Sequence, residues 1–202
     1  MENSLTAISN NIMRVYRSLD ISIRRIQMET GLHCPEGCGA CCLHQNVEAT
    51  VAEVIPLCHY FFRTGYVPRI YEILEIYKAN ANLTCILYLP DPDNTQHGRC
   101  QFYNFRPLIC RMFGFGSRKN RLGQMDVMTC RMLKQQEDAY QRYAAFIKQH
   151  VELPVVSNYF YKIAMMVPEY GLKLMPVNDA IQDCIEFMYW KMRRRMRPRL
   201  AS

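Results

Sequence analysis

Four cysteines within nine residues, Cys34, Cys38, Cys41 and Cys42, concentrate more thiol in one stretch than core packing calls for. Thiolate sulfur is the ligand of structural zinc and of iron–sulfur clusters, and four sulfurs complete a tetrahedral zinc shell at about 2.3 Å per Zn–S bond. Gly37 and Gly39 lie between these cysteines and let the backbone turn tightly enough for several sulfurs to converge. Neighbouring side chains of an extended chain point to opposite sides. The adjacent Cys41 and Cys42 therefore suit two neighbouring centres, or one polynuclear centre, better than a single ion. A later stretch adds Cys85, Cys100, Cys110 and Cys130, which brings the set to eight thiols, enough for two fully cysteine-ligated sites. Cys58 and Cys184 sit among apolar neighbours on expected helices and read as small buried hydrophobes.

Arginine flanks the late cysteines: Arg99 precedes Cys100, Arg111 follows Cys110, and Arg131 follows Cys130. Guanidinium near a thiolate-rich centre offsets its negative charge and can donate hydrogen bonds to sulfur; the alternative is that these are ordinary surface arginines. His33, His44 and His97 stand close enough in sequence to act as further ligands or acid–base groups, although a lone histidine beside such a run is more often a surface residue.

Two enzymatic patterns can be set aside. Cys34, Cys38 and Cys41 have the spacing used by radical enzymes that cleave S-adenosylmethionine, but those are built on alternating strands and helices in barrels of roughly 250 residues. This chain has 202 residues and no such alternation. Gly114-Phe115-Gly116 lacks the strand-to-helix frame of a dinucleotide-binding loop.

The elements that must hold these residues are mostly helical. Leu5, Ile8, Ile12, Val15, Leu19, Ile23 and Ile26 advance in steps of three and four, one stripe of a helix over 4–30 that Asn3 or Ser4 caps and Gly31 ends. Residues 31–48 form the first cysteine loop. Thr50 and Glu53 make a capping box for a helix that contains Pro56 and stops before Gly65. Pro68 opens another, with Ile70, Leu74 and Tyr77 on its inner face. Residues 83–130 break the periodicity, with short strands expected at 85–89 and 100–105. Helical patterning resumes at 133–150, 157–166 and 178–192. The expectation is a mainly α fold: one helical domain over 1–192 with two irregular cysteine-bearing segments, its cysteine core at about 30–135, and a short β-hairpin.

Composition bounds the setting. Residues 1–6 show no basic stretch leading into an apolar one, and no apolar run approaches the roughly 18 residues that span a bilayer. A cytoplasmic location is expected, where disulfides seldom persist, so ten cysteines call for metal instead. The formal charge is +7, but Lys191, Arg193, Arg194, Arg195, Arg197 and Arg199 supply most of it, and without them 19 basic residues face 18 acidic ones. Residues 193–202 read as a flexible basic tail, and 191–199 as a stretch that could meet nucleic acid or an anionic membrane surface.

The cysteine run, together with Cys-Gln-Phe-Tyr-Asn-Phe-Arg-Pro-Leu-Ile-Cys-Arg at 100–111, resembles the bacterial CxxCxxCC family, also called YkgJ-like, whose members are described as zinc- or iron-chelating proteins. On that resemblance Cys34, Cys38, Cys41 and Cys42 match the family's run and Glu53 its helical acidic position. Cys85 and Cys100 match the middle cysteines, Arg106, Pro107, Cys110 and Arg111 the Arg-Pro element, and Cys130 the last cysteine. The first gap holds three residues where the family name implies two. The resemblance implies metal on these eight thiolates, with Glu53, Arg106 and Arg111 in support around it. Zinc and iron–sulfur both remain open, since two zinc ions or two oxidised four-iron clusters on eight thiolates carry equal net charge. The all-cysteine, arginine-flanked set tips the balance towards iron–sulfur. A non-catalytic metal-binding role is expected first. An iron–sulfur redox or methyl-transfer enzyme is one alternative, and a zinc-stabilised module that binds nucleic acid or protein is another.

Overall fold

Residues 3–43, 47–93, 97–128, 130–148 and 153–196 are described by the computed structural model, with side chains for all of these except 3 and 194–196. The stripe along the first segment winds into α1 (Asn3–Thr30), with Leu5, Ile12, Tyr16, Leu19, Ile23 and Ile26 buried and Ile8 and Val15 half-buried beside them. Gly31, at φ 70°, ends the helix in the left-handed region, where a side chain would be strained.

A two-residue strand β1 (Glu48–Ala49) leads into α2 (Val51–Thr64), and α3 (Val67–Ala79) follows. The capping box is complete: the Thr50 hydroxyl accepts from Glu53 N, and the Glu53 carboxylate accepts from Thr50 N. Nine residues of α2 are buried, among them Ile55, Leu57, Cys58 and Phe61, so this helix is sheathed by other elements rather than lying on the surface. At about 1.5–3 kcal/mol for each large apolar side chain, α2 is the densest single contribution to the core.

Next come a hairpin of β2 (Tyr88–Pro90) and β3 (Gly98–Cys100), the short helix α4 (Leu108–Met112), and a hairpin of β4 (Ser117–Lys119) and β5 (Met125–Val127). The chain then runs through α5 (Arg131–Lys134), α6 (Glu137–Lys148), α7 (Val156–Ala164), α8 (Pro168–Gly171), strand β6 (Met175–Pro176) and α9 (Val177–Met196). β1 pairs antiparallel with β6, which seats α9 along α2. Buried residues from Leu5 on α1 to Met188 on α9 make one contiguous cluster. The fold is mainly α, and no helix among the described residues is long and apolar enough to cross a membrane.

Four differences from the sequence expectations have local causes. The strand expected at 85–89 is displaced to 88–90, and the one expected at 100–105 is confined to 98–100, because the chain turns into a single 3₁₀ turn at Tyr103–Phe105. The helix expected from 133 breaks after Lys134, where the Gln136 side chain reaches back to donate to the His33 carbonyl at 2.6 Å. A fresh helix then starts on Glu137 and Asp138, acidic residues that suit a helix N-terminus. The part of that expectation at His150 lies outside the described residues. α9 continues to Met196, four residues into the segment read as tail, while 197–202 and the Arg194 and Arg195 side chains lie outside the described residues.

Candidate metal centre

The first cysteine loop is laid against the β2–β3 hairpin by backbone. Gly98 N donates to Gly37 O at 2.8 Å and Cys85 N to Cys42 O at 3.0 Å. Gly37 and Gly39 take φ of 63° and 53°. A Cβ on Gly39 would lie 2.6 Å from the Tyr88 ring and 2.8 Å from Gly98 O, so only glycine lets the strands of this junction meet. Cys85 is fixed on its other side by Asn178 at the start of α9, which accepts from Ile86 N at 3.0 Å and donates to Thr84 O at 2.8 Å.

Cys110 sits on α4, whose start is held by α2: Glu53 Oε2 accepts from Leu108 N at 2.9 Å while Oε1 takes Thr50 N and its hydroxyl. The buried Glu53 carboxyl is pushed above its ordinary range by desolvation, a rise that its bonds to Thr50 and Leu108 oppose. Glu53 thus spends its oxygens on two helix starts, and its link to the cysteines runs through the placement of α4. Cys130 arrives from the β4–β5 hairpin, and Gly114 leaves room for Leu133 just beyond it, since a Cβ there would lie 2.3 Å from the Leu133 side chain.

These elements bring all eight cysteines to one region. A cavity of about 560 Å³ is bordered by Cys34, Cys38, Cys41, Cys42, Cys100, Cys110 and Cys130. A second space of about 10 Å³ adjoins it, bordered by Cys41, Cys42, Cys85, Cys100 and Cys110 and by Val47, Leu87, Arg106, Pro107 and Val177. Cys42 is hydrogen-bonded to Cys100, Cys41 and Cys85, so its proton is held and its thiol is pushed far up. Receiving that bond, and with Arg106 nearby, Cys41 is lowered to about 6 against the cost of burial; Cys100 is lowered in the same way. Loss of water pushes the Cys110 thiol well up, with Cys41, Cys85 and Cys100 adding to the rise. Cys34 is exposed as a residue, yet its thiol edge faces the cavity and is pushed up to about 11, by desolvation first and then by Cys38, Cys41 and Cys130. Among the described residues no three Cys, His, Asp or Glu side chains already stand as a metal-binding group, so the sulfurs meet as hydrogen-bonded thiols rather than as a finished shell.

The two expected supporting arginines divide. Arg106 borders both spaces; it lies over the Tyr103 ring at 3.4 Å and donates to Tyr103 O and Cys110 O, with no carboxylate partner among the described residues. Arg111 also borders the large space, and its hydrogen bonds go to oxygen. Its side chain is 3% exposed, and Nη1 is bidentate to Asp20 at 2.7 and 2.9 Å. It also donates to Arg106 O at 2.8 Å and to Asn104 O, over the Tyr16 ring. Its carboxylate is Asp20 on α1, not Glu53. Asp20 was invisible in sequence, being a solvent-flank position of the α1 stripe with nothing local to mark it.

Cys58 and Cys184 lie apart from this region, fully buried between α2 and α9 and hydrogen-bonded to each other. Of the histidines, His33 and His97 are exposed and border neither space, and His44 lies outside the described residues. Arg99 borders the large cavity and is exposed, as is Arg131. In the basic stretch, Lys191 lies over the Phe187 ring and Arg193 near Tyr189 and Trp190, on the outer side of α9.

Residues 33–131, the segment that carries all eight of these cysteines, match the family model CxxCxxCC, described as a "Putative zinc- or iron-chelating domain". That segment is similar to the CxxCxxCC family. Neither the curated proteins nor the solved structures give a match. The matched family is described as zinc- or iron-chelating, and the cysteine donors of this segment fit either metal. Thiolate binds zinc and iron–sulfur alike.

Proposed function

We propose that the CxxCxxCC-like segment of this chain binds metal as iron–sulfur or zinc on up to eight thiolates, from Cys34, Cys38, Cys41, Cys42, Cys85, Cys100, Cys110 and Cys130. The observation that carries this reading is that all eight border two adjoining spaces, while the two remaining cysteines do not. Eight thiols brought together from five separate stretches have no packing role that smaller apolar residues would not fill better. Metal, once bound, would supply cross-links between those stretches, and iron–sulfur would add one-electron redox capacity. The chain's own contribution is to desolvate the sulfurs, to place Arg106 against them with no competing carboxylate among the described residues, and to hold loop, hairpin and α4 in register. Arg106 would offset the excess negative charge of either centre, and beside an iron–sulfur cluster it would also shift the potential.

Anaerobic purification followed by metal analysis and a visible spectrum tests the reading. Bound iron with acid-labile sulfide and broad visible absorption is the expected result; colourless protein with stoichiometric zinc would support thiolate ligation while replacing the cluster. Metal-free protein that also fails to take up either metal from reduced thiols would refute it.

A further inference from the structure

The eight thiols are not equivalent in access, and their division follows the two spaces. Cys85 borders only the small inner space, whereas Cys34, Cys38 and Cys130 border only the large one. Cys41, Cys42, Cys100 and Cys110 border both and form the wall between them. Beyond its cysteines the inner space is lined by Val47, Leu87, Pro107, Val177 and Arg106, and at about 10 Å³ it has room for nothing larger than an ion. At about 560 Å³ the outer one has the size of a small-molecule pocket, far beyond what a metal centre fills. Its rim carries Arg24 and Arg99, exposed arginines with no ion-pair partner among the described residues.

We propose that the domain holds two metal centres of unequal access, an inner locked centre and an outer exchangeable one that faces a ligand-sized pocket; this rests on the metal-binding reading above. The inner centre draws four ligands from the five thiols around its space, with Cys42 bonded to Cys41, Cys85 and Cys100 as the core of the group. The outer centre owns three thiols, Cys34, Cys38 and Cys130, and its remaining coordination position faces the pocket. Structural zinc sites are closed by four protein ligands, whereas sites that act on an external molecule have three and keep one position open. The external ligand of the outer metal is a small anion or thiolate, drawn by the metal and by Arg24 and Arg99 at the rim.

Anaerobic metal-loaded protein challenged with excess EDTA gives the test, with metal release followed against time for the wild type, Cys34→Ser, Cys130→Ser and Cys85→Ser. Two release phases are expected in the wild type. The fast one is lost in Cys34→Ser and Cys130→Ser, which retain the slow one. Cys34 is exposed and Cys130 half-buried on a loop, so neither variant threatens the core, and far-ultraviolet circular dichroism verifies that. Inorganic cyanide and free cysteine, added as small probes, should perturb the thiolate-to-metal absorption of the wild type and leave that of Cys130→Ser unchanged. A single release phase, with Cys34→Ser, Cys130→Ser and Cys85→Ser all lowering metal content alike, would overturn the two-centre arrangement and leave metal binding standing. A wild type that holds no metal overturns both.

Discussion

Replacing Arg111 by alanine removes the staple between α1 and α4, and the structure allows the cost to be worked out. Four interactions disappear together: the bidentate bond to Asp20, the donations to the carbonyls of Arg106 and Asn104, and the contact with the Tyr16 ring. Breaking a fully buried ion pair costs about 3–5 kcal/mol. Asp20, however, has a side chain that is 31% exposed and can regain water, which lowers the charge penalty. The abandoned carbonyls push the other way, at about 1–3 kcal/mol for any that water fails to reach. A loss of about 3–4 kcal/mol results, or roughly 6–16 °C in midpoint for a domain of this size. Asp20→Ala should cost at least as much, because it strands a guanidinium that is only 3% exposed. The double variant should then be milder than the two losses added, with a coupling of about 1–3 kcal/mol. Arg111→Lys keeps the charge but not the fork, so it should fall between. Urea unfolding of reduced, metal-free protein reads all four. An Arg111→Ala loss below about 1 kcal/mol, or additive single losses, would refute the staple.

Three further outcomes follow. Gly39→Ala, with Tyr88 and Gly98 in the way of its Cβ, should cost about 2–3 kcal/mol and abolish metal uptake, whereas Gly37→Ala, strained in φ but in open space, should cost about 1 kcal/mol and keep it; metal analysis beside urea unfolding separates them. Cys58→Ala should lower stability by about 1 kcal/mol and leave metal content unchanged, and stoichiometry below the wild type would place Cys58 among the ligands. In reduced, metal-free protein Cys41 should alkylate as thiolate at neutral pH and slow as pH falls through about 6, while Cys34 should still be gaining thiolate towards pH 11; peptide-resolved iodoacetamide rates check this, and a common pH profile for the two would contradict the hydrogen-bond asymmetry around Cys42.

The sequence carried the local features well, for a physical reason. The stripe of α1, the Thr50–Glu53 box and the αL glycines are all set by residues within a turn or two of each other, so spacing alone reports them. Convergence of the cysteines was legible because chemistry limits what eight such thiols can do together. The contacts that hold them were not. Asp20 and Arg111 are 91 positions apart, and although Arg111 was marked by its place beside Cys110, nothing in the sequence pairs it with Asp20. Cys58 and Cys184 were readable as buried from their apolar neighbours, but their mutual contact depends on how α2 and α9 cross. The β4–β5 hairpin went unseen because its strands are three residues each and largely exposed, without apolar alternation; the αL Gly123 and the Asn120 side chain accepting from Leu122 N and Gln124 N are what shape its turn.

The sheathing of α2 has a consequence for how this chain is made. Its cover comes partly from α1, which precedes it, and partly from α9, which begins at Val177. At ribosomal speeds of roughly 5–20 residues per second, the stretch between Thr64 and Val177 takes on the order of 6–20 s to appear. During that interval Val54, Ile55, Leu57 and Phe61 cannot all be covered, and the nascent chain displays an apolar helix whose cover is completed when α9 docks. All eight thiols have by then been synthesised, but Cys85 still lacks the Asn178 clamp on its flanking residues. Metal that arrives before α9 docks would meet a site whose inner wall is unfinished, so the order of emergence favours loading after the chain has closed.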